Sequence, residues 1–118
     1  MPTIAVDFDG VIHRYSRGWD DGSIYDPPIE GAIEGLRTLM LDFAVFVHTT
    51  RNPVPVAKWL WEQGLDARAD TPDDPAPAEF WSTRGMLLVT NRKLPAVAYI
   101  DDRAIRFVSW AQTLSEVP

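Results

Sequence analysis

The sequence predicts an α/β fold, a Rossmann-like three-layer sandwich built on a central parallel sheet with no large cap domain. Three observations predict it. Strand-length runs at Thr3–Phe8, Phe43–His48, Met86–Thr90 and Ala96–Ile100 are too continuously apolar to have a wet face, which is the mark of strands covered on both sides. Helical patterns alternate with them. Each run also ends in polar or charged groups, as strands do where the carboxyl edge of a parallel sheet makes a ligand site. At 118 residues, 46% of them hydrophobic and 24% charged, the chain is expected to form one domain around one core.

The elements follow in order. Thr3–Phe8 delivers Asp7 and Asp9 to the first strand end. Residues 12 to 28 lack helical periodicity and carry Gly18, Gly22, Pro27 and Pro28, so they form a flap-like loop. From Ile29 the apolar positions Ala32, Ile33, Leu36, Leu39 and Met40 recur at spacings of three and four, the stripe of a helix laid on a sheet. Phe43–His48 is the second strand, closed by Thr49-Thr50-Arg51-Asn52-Pro53. A helix from about Pro55 to Gln63 turns Val56, Trp59 and Leu60 inward and stops at Gly64. Asp66 to Glu79, rich in aspartate and proline, is expected to be a solvated loop. Met86–Thr90 and Ala96–Ile100 are the next strands, Ile105, Phe107 and Val108 suggest a short fifth, and Trp110 to Leu114 a terminal helix.

Composition narrows the chemistry. With no cysteine, disulfides, thiolate metal sites and a cysteine nucleophile are excluded. Two histidines against 17 acidic residues favour a hard cation on carboxylates over zinc or copper. A net charge of −6 and a pI near 4.7 argue against a broad nucleic-acid footprint. The exception is His13-Arg14-Tyr15-Ser16-Arg17-Gly18-Trp19, a local basic and aromatic patch beside the first strand end. The N-terminus lacks a basic segment before an apolar one, and no apolar run is long enough to span a bilayer. A soluble, cytoplasmic protein without membrane association is expected.

The strand ends carry Asp7, Asp9, Thr49, Lys93 and Asp101. Phosphoryl transfer needs an oxygen nucleophile, a cation for the equatorial oxygens, further donors, and a proton donor for the leaving oxygen. Asp7 can serve as the nucleophile, giving an aspartyl phosphate. Asp9, swung by the turn at Gly10, suits an acid and base.

In order and spacing these groups resemble the haloacid dehalogenase (HAD) superfamily, and the small bacterial and phage members in particular. The matches are Asp7-Phe8-Asp9-Gly10-Val11 after an apolar strand, Thr49 closing the second run, Lys93, and Asp101-Asp102 after Val97-Ala98-Tyr99-Ile100. The resemblance implies a magnesium-dependent phosphatase with Asp7 as nucleophile and Asp9 as acid and base. It further implies Thr49 as phosphoryl ligand, Lys93 as the neutralising cation, and magnesium held by Asp7, the Asp9 carbonyl and Asp101, with Asp102 either a metal ligand, directly or through water, or the residue that orients Lys93. Gly10 and Thr50 would offer main-chain donors to the phosphate, and Arg17 and Trp19 would select the substrate, a phosphorylated small molecule or macromolecule end. Neither interval between motifs has room for a cap domain. The implied site is therefore open, and capless members act on bulky substrates or borrow a wall from a second subunit, so a homo-oligomer is among the expected partners.

Two other readings stand beside this one. A phospho-receiver domain also gathers aspartates, a Thr and a Lys around magnesium, but it places its adjacent acids on the first strand, whereas here Asp101-Asp102 come last. A catalytically silent binding module would lack a motif residue. His13 and His48 read as structural, Arg51 as an anchor of the loop after Thr49, and the tryptophans as core, with Trp19 excepted.

Overall fold

In the computed structural model, which describes residues 2–73, 75 and 79–118, the chain is α/β with a five-stranded, all-parallel sheet flanked by helices. The elements are β1 (Thr3–Asp7), α1 (Ala32–Asp42), β2 (Ala44–His48), α2 (Pro53–Glu62), β3 (Ala67–Ala69), β4 (Leu87–Thr90), β5 (Ala98–Ile100) and α3 (Trp110–Glu116). Their order across the sheet is β3-β4-β2-β1-β5. Asp7 lies level with His48, His48 with Thr90, and Val6 with Ile100. This register brings Asp7, Thr49 and Asp101 to one carboxyl edge, because each follows or ends a strand in step with its neighbours.

Alternation within each strand divides the core. Ile4, Val6, Val45, Val47 and Val89 face the helices and pack with Leu36 of α1 and Val56 and Leu60 of α2. Ala5, Phe46 and Leu88 face the other way and are covered by Trp81 and Leu94 from the chain that flanks β4. The runs of β1, β2 and β4 read as uniformly apolar because both sets are buried, and Phe46, Val47, Leu88 and Val89 have no exposed surface. The fourth run, expected to be covered on both faces, is instead the edge strand β5, with all three residues exposed. Truncating Phe46 to Ala would cost about 3–5 kcal/mol by the usual large-to-small scale.

Four boundaries differ from the sequence expectation. Helix α1 begins at Ala32 rather than near Ile29, because Gly31 takes a left-handed φ of 85° and Ile29 donates instead to the Ile12 carbonyl. Helix α2 begins at Pro53, where the Asn52 side chain caps the Val54 N–H. A strand, β3, lies inside the expected loop 66–79; it has no β-branched residue and exists by pairing Ala67–Ala69 with Leu87–Val89. Asp74, Ala76, Pro77 and Ala78 of that expected loop lie outside the described residues. Ile105, Phe107 and Val108 form no strand; all three are exposed. Nor are all the tryptophans core: Trp81 is buried and Trp59 packs edge-on to Phe8, but Trp61 and Trp110 are more than half exposed. No helix among the described residues is long and apolar enough to cross a membrane.

Candidate active site

The chain leaves β1 through a tight turn in which the Phe8 carbonyl accepts from the N–H groups of Ile12 and His13, and the Gly10 N–H donates to the His13 carbonyl. Gly10 has φ 86°, and a Cβ there would lie 2.2 Å from Oδ2 of Asp102. Glycine is therefore favoured by the backbone sign, and any side chain there would also displace the exposed Asp102 carboxylate.

Asp7, Asp9, Thr49, Thr50, Asp101 and Asp102 line one cleft of about 260 Å³ at the carboxyl edge, together with Tyr15, His48 and Arg103. One carboxylate oxygen from each of Asp7, Asp101 and Asp102 falls within 4.8 Å of the others. Burial, then the nearby Asp101 and Asp102 charges and a hydrogen bond to Asp102, push the Asp7 carboxyl up to about 6, against a lowering contribution from the Phe8 N–H. Three acids with oxygens this close, Asp7 half-buried and Asp101 and Asp102 exposed, could hold a hard divalent cation, and nothing about them suits a soft one.

Asp9 is clamped. Its Oδ1 accepts from Nδ1 of His13 at 2.8 Å, and its Oδ2 accepts from Nε of Arg51 at 2.8 Å. The network fixes the histidine tautomer: Asp26 N–H donates to Nε2, so the ring proton sits on Nδ1 and points at Asp9. His13 is fully buried, stacked on Phe8 and edge-on to Tyr25. Arg51, also buried, gives a second N–H to the Gly22 carbonyl at 2.8 Å, and its guanidinium lies 5.7 Å from the Tyr15 ring and 5.1 Å from Trp19. One arginine thus ties the strand-end acid to the flap. His13 is structural, as its type suggests, but the structure it holds is the site. Sequence reasoning missed this clamp as a unit; the signals were the four-residue spacing from Asp9 to His13 and an arginine two residues after Thr49.

The other site residues divide by position. Thr49 is buried, and its hydroxyl accepts from the Arg51 N–H at 3.1 Å, closing the turn that presents Thr50 to the cleft. Lys93 is exposed, with Nζ 5.2 Å from the centroid of the Tyr99 ring, and is not among the cleft-lining residues. Buried Leu94 and the bond from the Tyr99 hydroxyl to the Leu94 carbonyl hold that connection there. Arg17 lies over the surface of the flap, its exposed guanidinium 4.1 Å from the Tyr25 ring and its backbone N–H bonded to the Tyr25 hydroxyl. Trp19 is 65% exposed, beside the cleft rather than lining it. Tyr15, a member of the basic and aromatic patch noted in the sequence, lines the cleft, and holds φ 55°, a left-handed backbone that L-residues seldom adopt.

No protein-family model matches the chain, and no curated protein or solved structure gives a significant match to it.

Proposed function

We propose that this chain is a phosphomonoester hydrolase of the haloacid dehalogenase type, working through an aspartyl phosphate on Asp7. The observation that carries the reading is the convergence of Asp7, Asp101 and Asp102 to within 4.8 Å of one another, next to an acid, Asp9, with its own clamp. Asp7, Asp101 and Asp102 would hold magnesium, which when bound offsets negative charge on the phosphoryl oxygens and on the acids themselves.

The residues then have distinct work. An Asp7 carboxylate oxygen forms a bond to phosphorus as the ester P–O bond breaks, and the leaving oxygen takes a proton from Asp9. Water next attacks the phosphorus of the aspartyl phosphate, giving its proton to Asp9 and releasing Asp7. The Thr49 and Arg51 N–H groups are already bonded, to the Thr90 carbonyl and the Thr49 hydroxyl oxygen, so the Thr50 N–H and the Thr49 hydroxyl proton would be the donors at the mouth, and Arg103 would supply positive charge in the cleft. Lys93, assigned to charge neutralisation by its order in the chain, must leave Tyr99 to do so; Arg103 is the nearer candidate.

A screen with magnesium over nucleotides, sugar phosphates and 3′- or 5′-phosphorylated oligonucleotides tests the reading. Phosphate release that depends on the cation and disappears in Asp7→Asn supports it. Full turnover in a chelator, or in Asp7→Asn, overturns it.

A further inference from the structure

Among the described residues the chain places glycine at every left-handed backbone position but one, and the exception is Tyr15. That conformation is costly for a residue with a Cβ and free to glycine. A tyrosine held in it must offset the cost through its side chain. The local chain enforces the conformation from both sides. The Arg14 N–H donates to the Pro27 carbonyl and the Ser16 N–H to Oδ2 of Asp26 at 2.7 Å, so the residues before and after Tyr15 are both tied to the far side of the flap.

The ring is held as closely as the backbone. Its plane lies 21° from that of Tyr25 with centroids 6.4 Å apart, the buried His13 ring is 5.8 Å away, and the Arg51 guanidinium is 5.7 Å from its centre. Packing accounts for the ring but not for the hydroxyl. The other two tyrosines of the chain use theirs within the fold: Tyr25 accepts from the Arg17 N–H and donates to the Gly18 carbonyl, and Tyr99 donates to the Leu94 carbonyl. The Tyr15 hydroxyl has no hydrogen-bond partner among the described residues, and it is not buried. Its side chain lines the same cleft as Asp7, Asp9, Asp101 and Asp102, and none of those four acceptors takes its proton.

We infer that the Tyr15 hydroxyl is a substrate contact, donating a hydrogen bond to a non-bridging oxygen of the phosphoryl group that enters the cleft. This rests on the reading of the cleft as a phosphoryl site, and adds to it the residue that meets the phosphate from the flap. Four carboxylates line the cleft, whereas Lys93 stands over Tyr99 and Arg17 over Tyr25, both outside the lining. An oxyanion there needs donors, and tyrosine is a neutral one with no charge to desolvate. Position separates its work from that of Trp19. Trp19 is beside the cleft and is left to the leaving group, while Tyr15, in the lining with the acids, meets the group common to every phosphomonoester.

The test is Tyr15→Phe, which keeps the ring against Tyr25, His13 and Arg51 and removes only the donor. Binding of inorganic phosphate to the full chain with magnesium, read by isothermal titration calorimetry, should weaken roughly tenfold to a hundredfold, as for a lost hydrogen bond to a charged acceptor. The melting temperature should stay that of the parent. With esters, kcat/KM should fall by the same factor for an alkyl and an aryl phosphate, because both present the same phosphoryl oxygens. Equal phosphate affinity in the two chains overturns the inference, as does a parent chain that binds no phosphate with magnesium, or a loss confined to one class of ester. A Tyr15→Phe chain that melts several degrees below the parent overturns it too, because the hydroxyl then serves the fold. Failure of the phosphatase reading is a different result: a chain that binds phosphate through Tyr15 and hydrolyses no ester keeps this contact and loses the hydrolase.

Discussion

Two groups whose side chains read as structural, His13 and Arg51, hold the acid to which the proposed hydrolase assigns proton delivery. Asp9 lines the cleft with Asp7, and Nδ1 of His13 and Nε of Arg51, each at 2.8 Å, hold its carboxyl there. Because both are donors to its oxygens and favour the carboxylate, Asp9 can carry a proton to a leaving oxygen only by loosening one of them. Asp9→Asn should therefore slow hydrolysis of an alkyl phosphate by about 10²–10⁴-fold while sparing an aryl phosphate with a good leaving group, because only the poor leaving group needs the proton. Equal losses on both substrates would remove Asp9 from that role. His13→Ala is a different experiment, on a group that never reaches the substrate. It empties a fully buried ring site and leaves the Asp26 N–H without its acceptor, so a loss of about 2–4 kcal/mol of stability is expected in denaturant titration. The acids themselves were legible from type and spacing, since carboxylates at the ends of apolar strands have few structural excuses. The clamp was not, because a buried histidine that serves the core and one that serves a neighbouring acid have the same sequence signature.

At the scale of elements, legibility followed burial. Strands β1, β2 and β4 were readable because two-sided burial writes an unbroken apolar run, whereas β3 is held by backbone pairing that leaves no trace in Ala67-Arg68-Ala69. The run Ile105 to Val108 misled for the converse reason: its apolar residues serve no sheet and stand exposed. The flap from residues 12 to 28 was recognised from its glycines and prolines, but not its internal order. Arg17 is held on Tyr25, while Tyr15 reaches the cleft and Trp19 is steadied by Arg51. Replacing Arg17 and Trp19 together by Ala should raise KM for the true substrate and leave a small aryl phosphate unaffected, the loss residing in Trp19. The single changes check the assignment: Arg17→Ala alone should lower the melting temperature more than it alters KM, and Trp19→Ala alone should do the reverse.

For the molecule as a whole, the acid cluster couples folding to pH and, on the proposed reading, to a cation. In the metal-free protein the Asp7 carboxyl titrates near 6, above its ordinary 3.8, so between those values the folded chain holds a proton that the unfolded chain has released. The stability contributed by that proton is fully present below pH 3.8 and is lost as pH rises through about 6. Asp7 is half-buried, and after discounting for solvent the cost of its charged form at pH 7 is about 1–2 kcal/mol. Asp7→Asn carries no such charge. In a chelator it should melt at the same temperature as the parent chain near pH 4 and several degrees above it at pH 7, the gap opening across the window from about 4 to 6. Magnesium should reverse the order at pH 7, because a cation held by the folded cluster alone raises stability by RT ln(1 + [L]/Kd), about 2.7 kcal/mol at a hundred times Kd, and the variant has lost one of the ligands. Melting curves of both chains at the two pH values, with magnesium and with chelator, decide the matter. If the gap between them is the same at pH 4 and pH 7, Asp7 does not carry the strain of the cluster. If magnesium moves neither curve, the three acids are not a cation site, and the proposed phosphatase loses the observation on which it stands.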